Sequence, residues 1–185
     1  MHFHADVTLG VDIMVIDQLS FLLTTSRNIQ FTTVERIFDK RGTTLGKGII
    51  KVCNLYKRRG FRVVVCLADP EFEVVRDALT EEGVILNTCG PAEHVPEIER
   101  KIRTVKERVR GTILVLPFSK MPRLIVVHSV IFSIMWLNFF PPKGGVSTTL
   151  SPQAIVTGLT PDCMKHCRIP FGGYAQECVQ AHKQE

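Results

Sequence analysis

The sequence predicts an α/β fold with one five-stranded mixed sheet flanked by helices, in the order β-β-β-α-β-α-β-α. Three observations lead to this prediction. Short β-rich runs near the start are joined by turns too short for a crossover, which favours antiparallel pairing. A nearly continuous β-branched run at 62–68 is typical of a strand buried on both faces. The segment 95–110 has the apolar periodicity of an amphipathic helix.

The bulk properties fit one domain with a polyanionic partner. The chain has 185 residues, 45% of them hydrophobic, which is enough for one domain with a packed core but short for two full domains. A formal charge of +5 and a pI near 9.0 favour nucleic acid as a partner without proving it. Six cysteines, with Cys66 and Cys89 inside apolar runs, suggest a reducing compartment, and no secretory signal is seen. We therefore expect an intracellular protein.

The first half supplies four strands and one helix. Three strands form a meander at 11–16, 21–25 and 29–34. A helix follows Thr43-Thr44 and ends before Gly60, which suits a C-terminal stop. The fourth strand, 62–68, then ends at Asp69.

The middle of the chain alternates helix and strand. A short helix at 73–82, a fifth strand at 84–89 and a polar loop at 90–94 lead into the helix 95–110. Pro96 suits its first turn. Its apolar stripe consists of Ile98, Ile102, Val105 and Val109. A second stripe beside it consists of Glu99, Arg103, Lys106 and Arg110.

The remainder is predicted to complete the core and end in a tail. The apolar segment 124–140 contains four polar residues and is closed by Pro141-Pro142, so a buried helix suits it better than a membrane span. Ser151-Pro152 opens a short helix, and the tail from Thr160 is irregular. We divide the chain into a core at 1–116, completing helices at 117–160 and a Cys/His-containing tail at 161–185.

Three carboxylates form the candidate site: Asp12, Asp69 and Glu99. Carboxylates from distant segments can hold Mg²⁺ or Mn²⁺ while leaving positions open for water and phosphate. Two such ions can activate an attacking hydroxyl and stabilise the leaving oxyanion in phosphoryl transfer. The residues therefore favour a metal-dependent enzyme that cuts or joins nucleic-acid backbones.

Each carboxylate also has an ordinary structural explanation. An aspartate that ends a strand is often a turn or cap residue, and a glutamate in a first helical turn often serves the helix dipole. Asp12 is harder to explain, because a charge inside an apolar strand is costly unless it is ligated or paired. Of its neighbours, Asp17 fits a turn and Asp6 a leader. Periodicity alone does not choose between Glu97 and Glu99.

Basic residues on the same helix are candidate nucleic-acid contacts: Arg100, Lys101, Arg103, Lys106 and Arg110. The alternative is a solvated helix face. A second cluster, at 57–59 and Arg62, suits the end of the preceding helix better than DNA. Cys163, Cys167, Cys178 and His182 have a spacing that could bind zinc but matches no established signature.

Five segments in colinear order resemble copia-type retrotransposon integrases, and most closely the divergent copia-like elements of algae and diatoms. Segment 99–108 (ERKIRTVKER) resembles the glutamate helix of that family, and Asp69-Pro-Glu-Phe resembles its strand-end aspartate. Segment 21–27 resembles the second strand, Trp136-Leu-Asn138 with 151–158 the region after the core, and 166–172 its closing motif.

The resemblance implies a fold and a reaction. It implies an RNase H-like core of the retroviral integrase type, with a DDE-type site at Asp12, Asp69 and Glu99. It implies 3′-end processing and strand transfer of element DNA into target DNA with Mg²⁺ or Mn²⁺. It further implies a homo-oligomer made as part of a retroelement polyprotein, in the cytoplasm and nucleus, with no membrane partner.

The chain departs from the family in several places. Pro70 stands where Asn-Gly is common, the interval from Asp69 to Glu99 is short, and the family's His-His-Cys-Cys zinc module and basic C-terminal tail are absent from this sequence. Two alternatives therefore stay open. One is a catalytically inactive nucleic-acid-binding or interaction remnant of a retrotransposon polyprotein, and the other is an RNase H-type nuclease.

Overall fold

A computed structural model describes residues 5–88, 96–118, 120–166 and 168–173, without the side chains of Cys163 and His166. The strands and helices are β1 (Asp6–Ile16), β2 (Leu19–Ser26), β3 (Thr32–Ile37), α1 (Gly42–Lys57), β4 (Arg62–Ala68), a 3₁₀ helix (Pro70–Val75), α2 (Arg76–Glu81), β5 (Ile85–Thr88), α3 (Pro96–Leu114), α4 (Arg123–Phe139), α5 (Pro152–Thr157) and α6 (Cys163–His166). The predicted loop at 90–94 lies outside the described residues.

The five strands form one mixed sheet in the order β3-β2-β1-β4-β5. The pairs β1–β2 and β2–β3 are antiparallel, and the pairs β1–β4 and β4–β5 are parallel. Asp17 and Gln18 join β1 to β2 with φ angles of 48° and 61°, a tight hairpin turn in which Asp17 is the expected turn residue. The predicted fold class and element order are confirmed.

Helices cover both faces of the sheet. One core lies between the sheet and α1, and a second lies between the sheet, α3 and α4. Ile98, Val105 and Val109 of the predicted stripe are buried on α3, and Ile102 is partly buried. Among the described residues, no helix is long and apolar enough to cross a membrane.

Two strand boundaries differ from the prediction. β1 begins at Asp6 rather than at residue 11, so the assignment of Asp6 to a leader is wrong; its carboxylate instead bonds the Arg62 guanidinium at the start of β4. Asp6, Thr8 and Gly10 interrupt the apolar run, which hid this half of the strand. β3 begins at Thr32 rather than at residue 29, because Gln30 has a φ of 59° that strands do not adopt.

The C-terminal part contains three helices. Asn138, near the end of α4, binds the backbone of Thr32 on edge strand β3: its Oδ1 accepts from the N–H at 2.9 Å and its Nδ2 donates to the carbonyl at 2.7 Å. Ser151 caps α5 as expected, since its Oγ accepts from the N–H of Ala154. The one-turn helix α6 lies where an irregular tail was expected.

Candidate functional site

Asp12 and Asp69 are neighbours through strand register. The parallel ladder aligns Val11 of β1 with Ala68, the last residue of β4, so the next residues along the two strands are Asp12 and Asp69. Side chains alternate along a strand, which puts Asp12 on the same face as Met14. Met14 lies in the core beneath α3 and α4. Asp12 therefore lies half-buried at the edge of that core.

Asp69 is the residue that precedes the 3₁₀ helix, where a cap would be expected. Its side chain makes no capping hydrogen bond to the described residues of that helix. Local capping therefore does not account for Asp69, and the carboxylate is half-buried beside β1.

Helix α3 approaches the sheet closely at its first turn. A Cβ atom built on Gly10 would lie 3.4 Å from the Cβ of Ile98, so the space between strand and helix admits a methyl group but not a larger side chain. Glu99 follows Ile98 directly and is exposed at the rim of this contact.

The two glutamates of this turn point to different neighbours. The Nε–H of Arg27 donates to both carboxylate oxygens of Glu97, at 3.0 Å to Oε1 and 2.9 Å to Oε2, beside the β2–β3 turn. Glu99 instead lies near enough to Asp12 for its charge to raise the pKa of that carboxyl. Of the two glutamates, Glu99 is therefore the one whose charge acts on Asp12.

The pKa of Asp12 depends on its burial and on the carboxylates around it. Burial is the main reason that the pKa of Asp12 is raised to about 6. The N–H of Ile13, which donates to Oδ1 at 2.6 Å, lowers this pKa, and the negative charges of Asp69, Glu71 and Glu99 raise it. The three predicted carboxylates therefore share one electrostatic environment.

Glu71 is the residue that the sequence did not single out. It lies in the first turn of the 3₁₀ helix, its charge reaches Asp12, and it pairs with Lys40 at 2.9 Å. The available signal was Pro70, because a proline at the first position starts a helix immediately and keeps the next residue close to Asp69.

The metal ion predicted for these carboxylates is Mg²⁺ or Mn²⁺. In the described part of the chain, no group of three or more His, Cys, Asp or Glu side chains is close enough together to hold a metal ion. The donor chemistry does fit, since hard carboxylate oxygens suit both ions and a cation would relieve the repulsion that raises the pKa of Asp12. The carboxylates are electrostatic neighbours rather than an assembled coordination shell.

The predicted basic residues divide between two flanks of α3. At about 100° per residue, Arg103, Lys106 and Arg110 lie within roughly 40° of Glu99 around the helix axis, and all three are exposed. Arg100 and Lys101 instead line a polar cavity with Arg27 and Lys143. The single set proposed from the sequence is thus two sets.

The other two sequence clusters add nothing to the site. Lys57 pairs with Glu82 at 2.6 Å, and Arg62 pairs with Asp6, which suits structural roles. Cys167, Cys178 and His182 of the possible zinc set lie outside the described residues, as does the side chain of Cys163. Cys53 and Cys66 are buried free thiols.

The sheet order and the flanking helices define an RNase H-like fold. The structure is similar to the crystal structure of the catalytic core domain of BIV integrase, with a TM-score of 0.58 and 15% sequence identity. The similarity covers 87% of this chain and 97% of that one. No protein-family profile and no curated protein sequence matches the chain. At this identity the likeness establishes the fold.

Proposed function

We propose that this chain is the catalytic core of an integrase from a copia-type retroelement. It would act as a polynucleotidyl transferase that processes the 3′ ends of element DNA and transfers them into target DNA. The observation that supports the proposal is the strand register that makes Asp12 and Asp69 neighbours, together with the effect of the Glu99 charge on the pKa of Asp12.

Asp12, Asp69 and Glu99 would hold Mg²⁺ or Mn²⁺, with Glu71 beside them. When bound, two such ions supply activation of the attacking hydroxyl and stabilisation of the leaving oxyanion. Asp12 contributes a carboxylate fixed on a paired strand, and it is ionised mainly above about pH 6. Binding and chemistry would therefore strengthen as the pH rises through that value.

The exposed row of Arg103, Lys106 and Arg110 would neutralise DNA phosphates next to the carboxylates. Its partners would be the element ends and the target DNA. The row runs beyond Glu99 on the same flank of α3, so a strand that follows it would pass the carboxylates. The protein would work in the cytoplasm and nucleus as part of a retroelement polyprotein.

The test is strand transfer or disintegration on labelled oligonucleotides with Mn²⁺. Glu99→Gln should lower the rate by at least a hundredfold while DNA binding is kept, because the change removes one negative charge and little volume. Glu107→Gln is the matched control, being the same substitution at an exposed position on the same helix. Equal activity of the two variants would contradict the site.

Two alternatives have specific support. A catalytically inactive nucleic-acid-binding remnant is favoured because the carboxylates of the described residues are not close enough together to hold a metal ion. This alternative would be established if the wild-type protein binds DNA but shows no strand-transfer or disintegration activity. An RNase H-type nuclease is favoured by Glu71, which supplies a fourth carboxylate. Cleavage of an RNA–DNA hybrid that Glu71→Gln abolishes, without strand transfer, would select this alternative.

A homo-oligomer is part of the proposal. Helix α4 exposes Leu124 and Ile131, apolar side chains that a second copy could cover. Sedimentation equilibrium should therefore give a mass above 20.8 kDa. A monomer at all concentrations would overturn this part alone.

A further inference from the structure

A polar cavity lies on the flank of α3 away from Glu99. Its volume is about 390 Å³, with room for about ten water molecules. Its walls come from the end of β2 and the turn after it, from the first turns of α3, and from the loop between α4 and α5. The amide of Gln30 donates to the carbonyl of Lys143 at 3.5 Å and so links two of these walls.

Cations dominate this cavity. Arg27, Arg100, Lys101 and Lys143 line it, and Glu97 is the one carboxylate among the described residues that do. Four positive charges and one negative charge leave a surplus of three. Because the cations come from three separate segments, the fold brings them together, whereas an ordinary solvated helix face would draw them from one element.

The single carboxylate is already engaged. Both carboxylate oxygens of Glu97 accept from the Nε–H of Arg27. Glu97 is therefore paired with Arg27 rather than with Lys101 or Lys143, which also line the cavity. Lys101 is half-buried, and its pKa is lowered, mainly by burial and also by the charge of Arg108. An anion in the cavity would offset both effects.

We infer that this cavity binds phosphate groups of a nucleic-acid backbone, so that α3 carries two separate DNA tracks on its opposite flanks. Guanidinium and ammonium groups from several directions suit a tetrahedral phosphate. Glu97 competes with that phosphate for Arg27. The inference deepens the proposed function and rests on its assumption that DNA is the partner.

The test measures the affinity of a fluorescein-labelled DNA duplex by anisotropy across a salt series. Lys143→Gln removes one cation from an exposed loop position. It should weaken binding on the order of five- to tenfold near 0.1 M salt and lower the salt slope by about 0.9. Lys47→Gln is the matched control, since it removes the same charge from α1, on the other face of the sheet.

A gain of affinity provides the sharper readout. Glu97→Gln should tighten DNA binding by a similar factor, because it frees Arg27 and removes the only negative charge lining the described cavity. Glu81→Gln is its control, since it removes the same charge from an exposed position of α2, on the other face of the sheet, and should leave affinity within twofold of wild type. A folding defect in Glu97→Gln cannot imitate tighter binding.

The outcomes separate this inference from the proposed function. If Lys143→Gln and Glu97→Gln match their controls while Arg103→Gln weakens binding, the cavity inference is wrong and the proposed function stands. If the wild type does not bind DNA, both fail. Titration with inorganic phosphate tests the source of the ligand: phosphate binding that Lys143→Gln abolishes, with DNA affinity unchanged, would overturn the nucleic-acid assignment.

Discussion

At the residue scale, Asp12 is the group whose ionisation the fold controls. Its carboxylate is half-buried on a strand whose fully buried side chains, Val7, Leu9, Val11 and Met14, are all apolar. Burial and three neighbouring carboxylates favour the protonated form, and the N–H of Ile13 only partly opposes them. The fold therefore keeps this carboxyl mainly protonated up to about pH 6, about two pH units above the ordinary value for an aspartate.

This preference makes stability depend on pH. The pKa of Asp12 is about 6 in the fold and near 3.8 when unfolded, so the unfolded state loses its proton first. Without metal, the free energy of unfolding should fall as the pH rises from about 4 to about 6, by on the order of 1 kcal/mol after solvent screening.

Asp12→Asn should abolish this fall and be more stable than wild type at neutral pH. Urea unfolding in EDTA at several pH values measures the difference. Asp17→Asn, in the exposed hairpin turn, is the control and should keep the wild-type pH profile. A wild-type stability that is flat across this range would contradict the raised pKa.

The four carboxylates were not equally predictable. Asp12 could be found from the cost of a charge in an apolar strand, and Asp69 from its position at a strand end. Glu99 was chosen over Glu97 mainly by resemblance and by the basic row beside it, since both glutamates flank the apolar stripe of α3. Glu71 was missed because its closeness to Asp12 arises from a 3₁₀ turn, which side-chain periodicity does not reveal.

At the scale of elements, the side-chain amide of Asn138 joins α4 to the edge strand β3 by hydrogen bonds. Both polar atoms of Asn138 bind the backbone of Thr32, and Asn138 is buried. Asn138→Ala should therefore destabilise the fold by about 1–3 kcal/mol, because it leaves a buried N–H and carbonyl unpaired. Chemical denaturation measures this cost.

A second variant separates the hydrogen bonds from simple loss of volume. Asn138→Leu fills the site with apolar atoms and restores neither hydrogen bond, so its cost should be at least as large as that of Asn138→Ala. If Asn138→Leu were as stable as wild type, packing rather than the backbone clamp would be the function of Asn138.

The contact between Gly10 and α3 sets the position of Glu99. Alanine should be tolerated at residue 10, because its Cβ would be at ordinary contact distance from Ile98. Gly10→Val adds two methyl groups where α3 approaches, so it should displace the first turn of that helix and cost about 1–3 kcal/mol.

In Gly10→Val the strand-transfer rate should fall by more than the loss of folded protein explains, because Glu99 moves with the helix. The double variant Gly10→Val with Ile98→Ala should recover part of both, which a double-mutant cycle measures. Additive effects would mean that the two residues are not coupled. Gly111→Val, at a position with open space around it, controls for valine itself.

Boundaries were harder to predict than elements. The burial of Ile98, Val105 and Val109 follows from the 3.6-residue period, but α3 continues to Leu114, because Ile113 extends the stripe by four residues and packs against the same core, beyond the predicted end at residue 110. The start of β1 was missed for a different reason. Pairing with β4 extends this strand through Asp6 and Gly10, residue types that have a low propensity for strands.

At the scale of the whole molecule, the charges of α3 predict how DNA binding responds to salt. Replacing Arg103, Lys106 and Arg110 together by Gln removes three phosphate contacts, and should lower the salt slope of the binding constant by about 2.7. Replacing Lys47 and Lys51 on α1 and Arg58, the residue directly after it, by Gln changes the net charge equally and should leave the slope nearly unchanged. Equal losses would mean that binding follows net charge alone.

The global topology was partly readable from the sequence. The order of elements follows from local patterns, whereas the lateral order β3-β2-β1-β4-β5 depends on crossovers that bring distant segments together. The cavity beside Arg27 depends on three such segments and could not be predicted from α3 alone. The division at residues 116 and 160 remains a prediction.

The unequal lengths of β1 and β4 have a spectroscopic consequence. The ladder with β4 ends at Val11, while β1 continues along β2 to Ile16, and the N–H of Ile13 donates to the Asp12 carboxylate. That amide is thus a natural reporter group. Its ¹⁵N–¹H resonance should shift with a midpoint near pH 6 and shift again on titration with Mg²⁺, so the ionisation and the occupancy of the site can be followed at one backbone nitrogen.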